Sequence, residues 1–383
     1  MKLTSIVILT FFLLAIVACS DQEEIISEPT DNCEYVIPKQ VENFKILEGR
    51  LGSLENAIIM SDDNHILFSG TEVINNEFHL LLMKLTLEGN IIWKWRLDDY
   101  YNSSALAIEQ DEDGNIYIAG SFRATLNETS QMLVLKFNSE GSLLWQYDEE
   151  YFGTAMAHDI VILNDEIIIL RRGNGPFQLI KLDPEGRKTD FMRVENLGYT
   201  LIKISDNEFL ANFTLTNIDH TKNRFIQSII DRNGETLHSN EYWRDFDYIN
   251  NSIKVKDGEF ISVGSSATEE FGVSQVWIIK TTETGELLWE RHYGHESISE
   301  AGISIHQNVD GSFIIAGRYE QCEEYESFLM NINENGDLIN INYLEGEGSG
   351  YTAKLLKQDN DENILIATDN YNFYIGKLDN EGN

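Results

Sequence analysis

The stretch DGNIYIAGSF at 113–122, followed after a polar gap by MLVLKFNSEGSLLWQY at 132–147, decides the fold. Its apolar alternation predicts strands over 116–122 and 132–138. Beyond Ser139-Glu140-Gly141 it predicts a third over 143–147. An alternating run at 105–109, ahead of the turn Asp111-Glu112-Asp113-Gly114, supplies a fourth. The unit is a four-stranded antiparallel meander of about fifty residues, the size of one propeller blade.

The glycine before the last strand recurs at Gly89, Gly141, Gly186, Gly234, Gly285, Gly336 and Gly382, at intervals of 52, 45, 48, 51, 51 and 46. The first turn of each unit is marked as well, by pairs such as Asp63-Asn64, Asp113-Gly114, Asp257-Gly258 and Asp310-Gly311, residues that tolerate positive φ. The two series stay in phase. They predict an all-β fold, a seven-bladed β-propeller of four-stranded antiparallel blades. The seventh blade lacks its outer strand at 377–383, and a closed ring leaves no unpaired edge. The unpartnered run Phe44-Lys45-Ile46-Leu47 is therefore expected to close the last blade from the N-terminal side.

Ahead of the repeats, residues 1–18 carry one charge, Lys2, and an apolar run at 6–18 that is short for a bilayer span but suits a signal-peptide core. Ile16-Val17-Ala18-Cys19 resembles the lipobox of bacterial lipoproteins, which implies that Cys19 is lipidated and becomes the mature N-terminus. The plain alternative is a secretory peptide with an incidental cysteine. Ser20-Asp21-Gln22-Glu23-Glu24 is similar to the surface-export signals of Bacteroidota lipoproteins, which implies a lipid-anchored, surface-exposed place at the outer membrane. Solvated linker charge is the plain reading of the same residues. Residues 19–40, polar and acidic with Pro29 and Pro38, suit a tether, and 41–383 the propeller domain.

The formal charge of −36 becomes −37 once Lys2 leaves with the leader. Such a field repels phosphate backbones and anionic lipid surfaces, which excludes nucleic acid and leaves the N-terminal lipid as the membrane contact. It favours cations or a basic protein, although solubility alone accounts for it, and a monomer is expected. With Cys19 taken by lipid, Cys33 and Cys322 remain; an oxidising compartment lets them pair, and two free thiols are the alternative.

Trp93, Trp145 and Trp289 stand four residues after the recurrent glycine. The third reads TGELLW at 284–289, which resembles the tryptophan-docking repeat of quinoprotein dehydrogenases and of the outer-membrane assembly propeller lipoprotein. That resemblance implies a ring packed on the next blade. No quinone pocket can be assembled beside it. The turns at 111–114 and 359–362 place carboxylates two apart as calcium loops do, so calcium is the one cofactor they admit, but they lack the later acidic closer and are needed as hairpin turns. His292, His295, Glu296 and Glu300 group between the fifth and sixth units, where a solvated loop is the better reading than a zinc site. No nucleophile elbow, phosphate-cradling loop or catalytic triad spacing is present, so no catalytic residue and no metal ligand is assigned.

The connections between units are aromatic: Tyr100, Tyr101, Tyr151, Phe152, Tyr199, Phe246, Tyr248, Tyr293, Tyr343 and Tyr351. Such rings either seal one blade against the next or offer stiff contact area to a protein or glycan. The loop at 318–327, with Tyr319 and Tyr325, is a further candidate for binding. As a set the repeats resemble the propeller-repeat proteins and lipoproteins of Bacteroidota, with the pattern DG, three apolar residues, AG, then KLD-x-x-G-x-x-x-W, over nearly all of 44–383. Leu170-Arg171-Arg172-Gly173 and Leu210-Ala211-Asn212-Phe213 depart from the AG signature. The expectation is a non-enzymatic surface lipoprotein that binds a protein or glycan on its loop face. Its alternatives are a periplasm-facing assembly scaffold and a lyase or hydrolase with a site converging on the central channel.

Overall fold

The computed structural model describes residues 39–40, 44–47, 58–61, 63–149, 153–173, 175–193, 200–216, 223–244, 248–267, 273–321, 324–345, 352–358, 364–369 and 373–378. Residues 1–38, with Cys19 and Cys33, lie outside that set, as do Tyr151, Phe152, Tyr199, Phe246, Cys322, Tyr351 and the turn at 359–362. Every regular element among the described residues is a β-strand, and no helix there is long and apolar enough to cross a membrane.

The opening stretch folds as its alternation predicts. Strands Asn102–Gln110, Ile116–Arg123, Gln131–Phe137 and Leu143–Glu149 pair antiparallel in chain order. The same meander recurs at 58–96, joined to the first through one parallel bridge between Phe78 and Asn102, and at 155–193, 200–244, 248–293 and 299–345. Strands Thr352–Gln358, Ile364–Asp369 and Phe373–Leu378 form a further meander. Its last strand takes Phe44–Leu47 as antiparallel neighbour, with Phe44 opposite Gly376 and Leu47 opposite Phe373. A second pairing is not anticipated from sequence: Lys39–Gln40, at the end of the expected tether, runs parallel to Leu338–Glu345. Polar composition conceals it because an edge strand accepts a neighbour through backbone groups alone.

Second strands with described side chains are apolar on both faces because a neighbouring sheet covers each. Ile116–Arg123 is buried at every position but the last. The core is a series of layers between successive sheets. Leu67, Leu80 and Leu82 meet Ile116, Ile118 and Leu133 in one layer, and Val263, Val276 and Ile278 meet Ile315, Phe328 and Met330 in another.

Packing also explains the AG signature. The first strand bulges between Ala105 and Ala107, and the Ser104 carbonyl presses on Gly120, where any Cβ would collide with it. Matching bulges lie at 157–159, 249–251 and 302–304. The tryptophans sit as their resemblance implies: Trp93 against Gly141, Trp145 against Gly186, Trp289 against Gly336. In the 200–244 sheet a different pair does this work. Asn240 Nδ2 donates to the Thr284 carbonyl at 2.9 Å and the Tyr242 hydroxyl to that of Gly285 at 2.5 Å.

In a four-stranded meander the first and third hairpin turns share one end. The docked tryptophans set the third turns of successive sheets side by side, so these turns make one face of the molecule, the turn face. The described sheet-to-sheet connections, at 97–101 and 294–298, lie on the other, the loop face.

Candidate binding cleft

The first strands of four successive sheets, three of them bulged, wall a cleft of about 610 Å3. Its sides come from 107–110, Asp159, 161–164, 200–203 and 251–252, and residues 111–113 and Asn115 of the turn, with Tyr117, Lys136, Ile167 and Pro184, complete it. Glu109, Asp111, Glu112, Asp113 and Asp159 line it against two cations, Lys136 and Lys203.

Several of these polar groups also hold the fold. Asp111 Oδ1 accepts from the backbone N–H of Asp113 at 3.1 Å and of Asn115 at 2.7 Å. Its Oδ2 accepts from Asn115 Nδ2 and the Tyr117 hydroxyl, both at 2.9 Å. This is an Asx-turn, in which a side chain stands in for a backbone acceptor. Burial and then Asp111 push the Tyr117 phenol above its ordinary range, and Lys136 Nζ lies 4.8 Å over the centre of its ring. Asp159 is 8% exposed and bridges two sheets. It accepts from Ile160 N at 2.9 Å and from Leu201 N at 2.6 Å.

Polar bridges between sheets continue around the first strands. Asn251 Oδ1 accepts from Ile305 N at 3.3 Å. Ser252 Oγ accepts from Asn212 Nδ2 at 2.7 Å and donates to Ser262 Oγ at 2.6 Å. The chain runs on through Gln227, which donates to Asn212 at 3.3 Å and accepts from Thr281 at 2.8 Å. Sequence reading missed Asp159, Asn251 and Ser252. For Asp159 the signal is a charged residue in the largely apolar strand Ala155–Ile162; Asn251 and Ser252 stand in a polar strand and give none.

Among the described residues, the aromatics singled out in the sequence stand elsewhere and none of them lines the cleft. Tyr100 stacks on Phe122 with ring centres 4.1 Å apart, and its hydroxyl accepts from Gln146 Nε2 at 2.8 Å. Tyr293 packs on the core, with its hydroxyl donating to the Gly336 carbonyl. Tyr319, 1% exposed, donates to the Leu344 carbonyl at 3.3 Å. Tyr101 is half-buried, as is Tyr325, over whose ring the Arg318 guanidinium lies 5.6 Å from the centre. Tyr248 is exposed.

The His/carboxylate group separates into distinct environments. His292 stacks on Trp277 at 6.4 Å, and His295 Nδ1 accepts from Ser297 N at 3.1 Å. Glu300 departs from the solvated reading, being 1% exposed. It accepts from the Tyr343 hydroxyl and from His295 N, each at 2.5 Å. Burial pushes its carboxyl up to about 7, against the opposing pull of those two donors. Among the described residues no group of three or more His, Cys, Asp or Glu is placed to hold a metal ion.

No family model matches the chain, and no curated protein matches it significantly. Among solved structures, a provisionally assigned 6-phosphogluconolactonase from Bacteroides fragilis is similar with a TM-score of 0.51 at 12% identity, over 86% of this chain and 94% of that one. The Dos1 propeller has a TM-score of 0.49 at 8% identity, over 92% and 97% of the two chains. These likenesses are of fold alone. The chain is an all-β repeat fold of the propeller type.

Proposed function

We propose that this chain is a non-enzymatic binding or scaffold module, a monomeric lipoprotein anchored at the outer membrane through Cys19 and exposed at the cell surface. Residues 1–18 are its leader, 19–40 its tether and 41–383 its propeller. In this reading the sheets are seven blades, and Phe44–Leu47 closes the ring on Phe373–Leu378. The closing strand then ties the body directly behind its tether. An oxidising envelope would let Cys33 and Cys322 pair, with two free thiols the alternative. The partner is a protein or a glycan.

One observation carries the binding reading. Asp111, Asp159, Asn251 and Ser252 at the cleft already serve turns and sheet-to-sheet bridges. Groups so committed make a preformed surface that recognises by shape and charge rather than one that transfers protons. A phosphorylated lactone, the substrate class named for the Bacteroides fragilis structure, needs a cationic pocket, and this cleft is rich in carboxylates.

The test joins fractionation, protease treatment of intact cells, and pull-down from the native envelope. Cys19→Ala releases the protein from the membrane fraction, added protease cleaves the wild type, and the full mature protein retains a partner. Tight membrane association of Cys19→Ala sinks the anchor. Protection from protease favours the periplasm-facing scaffold, and an empty pull-down argues against a binding module.

A further inference from the structure

Ile92, Leu144, Leu237, Leu288 and Ile339 share one register, three residues after the turn glycine of their sheets. Each is between 44% and 59% exposed, and in four of the five sheets the preceding residue is an exposed aliphatic too. Scattered exposed leucines are ordinary on any protein. Repetition in phase is not scatter, because a fourth strand is a sheet edge, where charged residues are the usual protection. The register places these side chains at the rim of the turn face, next to the position that docks on the following sheet.

The turns beside them are acidic. Glu88, Glu140, Glu185, Glu283 and Glu334 stand at the third-turn tips of five of the six sheets from 58 to 345. Of the turn cations, Arg187 is paired with Asp183 at 2.7 Å and Arg232 with Asp165 and Glu166 at 3.1 Å, while Lys256 Nζ donates to the Val309 carbonyl at 3.0 Å. The chain's charge of −36 sets the same sign over the whole body. A second copy and an anionic lipid surface would both be repelled.

We propose that the rim of the turn face docks a basic polypeptide whose aliphatic side chains alternate with its cations. The aliphatic register supplies contact area, and the acidic tips steer and select the partner. This inference rests on the chain being a binding module and adds which face binds and what chemistry it takes.

The test uses the full mature protein and two fluorescent peptides, one alternating leucine with lysine and one an oligolysine of equal charge. Wild type binds the leucine-containing peptide about tenfold tighter, as burial of a few aliphatic side chains implies. Leu144→Ser with Leu288→Ser and Ile339→Ser removes that preference while the melting temperature stays within a few degrees. A second variant reverses the charge of Glu140, Glu283 and Glu334 to lysine and loses both peptides, independently of how the first folds. Equal binding of the two peptides by wild type, or an undiminished preference in the serine variant, overturns the proposal. Loss of binding on Tyr248→Ala with Tyr325→Ala, with the rim intact, also overturns it and moves recognition to the loop face, leaving the binding module standing.

Discussion

The indole of Trp145 rests on Gly186 of the following sheet, and its Nε1 donates to the Pro184 carbonyl at 3.1 Å. Gly186 serves two demands at once: its φ is +81°, and a methyl group added there would lie 2.7 Å from the indole.

Gly186→Ala should therefore cost more than an equivalent change at a roomy turn. Gly258, at φ +83°, has its nearest neighbour, a Glu283 carboxylate oxygen, 3.6 Å from the added carbon. Gly258→Ala meets backbone strain alone, about 1 kcal/mol, and Gly186→Ala adds displacement of the ring for about 2–4 kcal/mol in all. Thermal melts of the two variants check it, and equal melting temperatures would remove the docking account.

The joint aromatics divide by burial. Tyr100→Ala and Tyr293→Ala each remove a ring packed on the core and should cost about 2–4 kcal/mol, whereas Tyr248→Ala, at a side chain 48% exposed, should cost under about 0.5 kcal/mol. Denaturant midpoints of the three variants measure this. Near-wild-type midpoints for Tyr100→Ala and Tyr293→Ala would instead make those rings a recognition surface.

Glu300 gives the chain a pH dependence with a definite sign. Its carboxyl titrates at about 7 when folded, against an ordinary 4.5 when unfolded. Between those values the folded chain holds a proton that the unfolded chain has lost, so stability falls as pH rises from about 4.5 to 7 and levels off above. The full effect is at most about 3 kcal/mol. Glu300→Gln should remove this part of the slope. Parallel stability–pH curves for variant and wild type would show that folding does not raise the carboxyl's pKa.

The sequence makes the repeat legible because its constraints are local. A positive φ demands glycine at Gly141 and Gly186, and a second strand covered on both faces demands the run Ile116-Tyr117-Ile118-Ala119. The glycine at Gly120 is equally visible, but its cause, the Ser104 carbonyl thrust forward by a bulge, appears only in the structure. The cleft is illegible for a related reason. Asp159 and Leu201 are 42 residues apart, and the packing of one sheet on the next joins them. The docking role in the 200–244 sheet escapes the tryptophan pattern because Asn240 stands two residues beyond the position that Trp145 holds in its own sheet. Glu300 reads as a loop carboxylate until Tyr343, 43 residues on, covers it.

The proposed ring of blades is closed by the strand that follows the tether. Amide hydrogen exchange tests it directly, because Lys45 and Ile46 face Ile375 and Tyr374 across an antiparallel ladder. Residues 44–47 should exchange as slowly as 373–378, and deleting residues 1–47 should make 373–378 exchange quickly and the protein prone to aggregate through the bared edge. Exchange of 44–47 at the rate of an unstructured tether, or unchanged protection of 373–378 after the deletion, would contradict it.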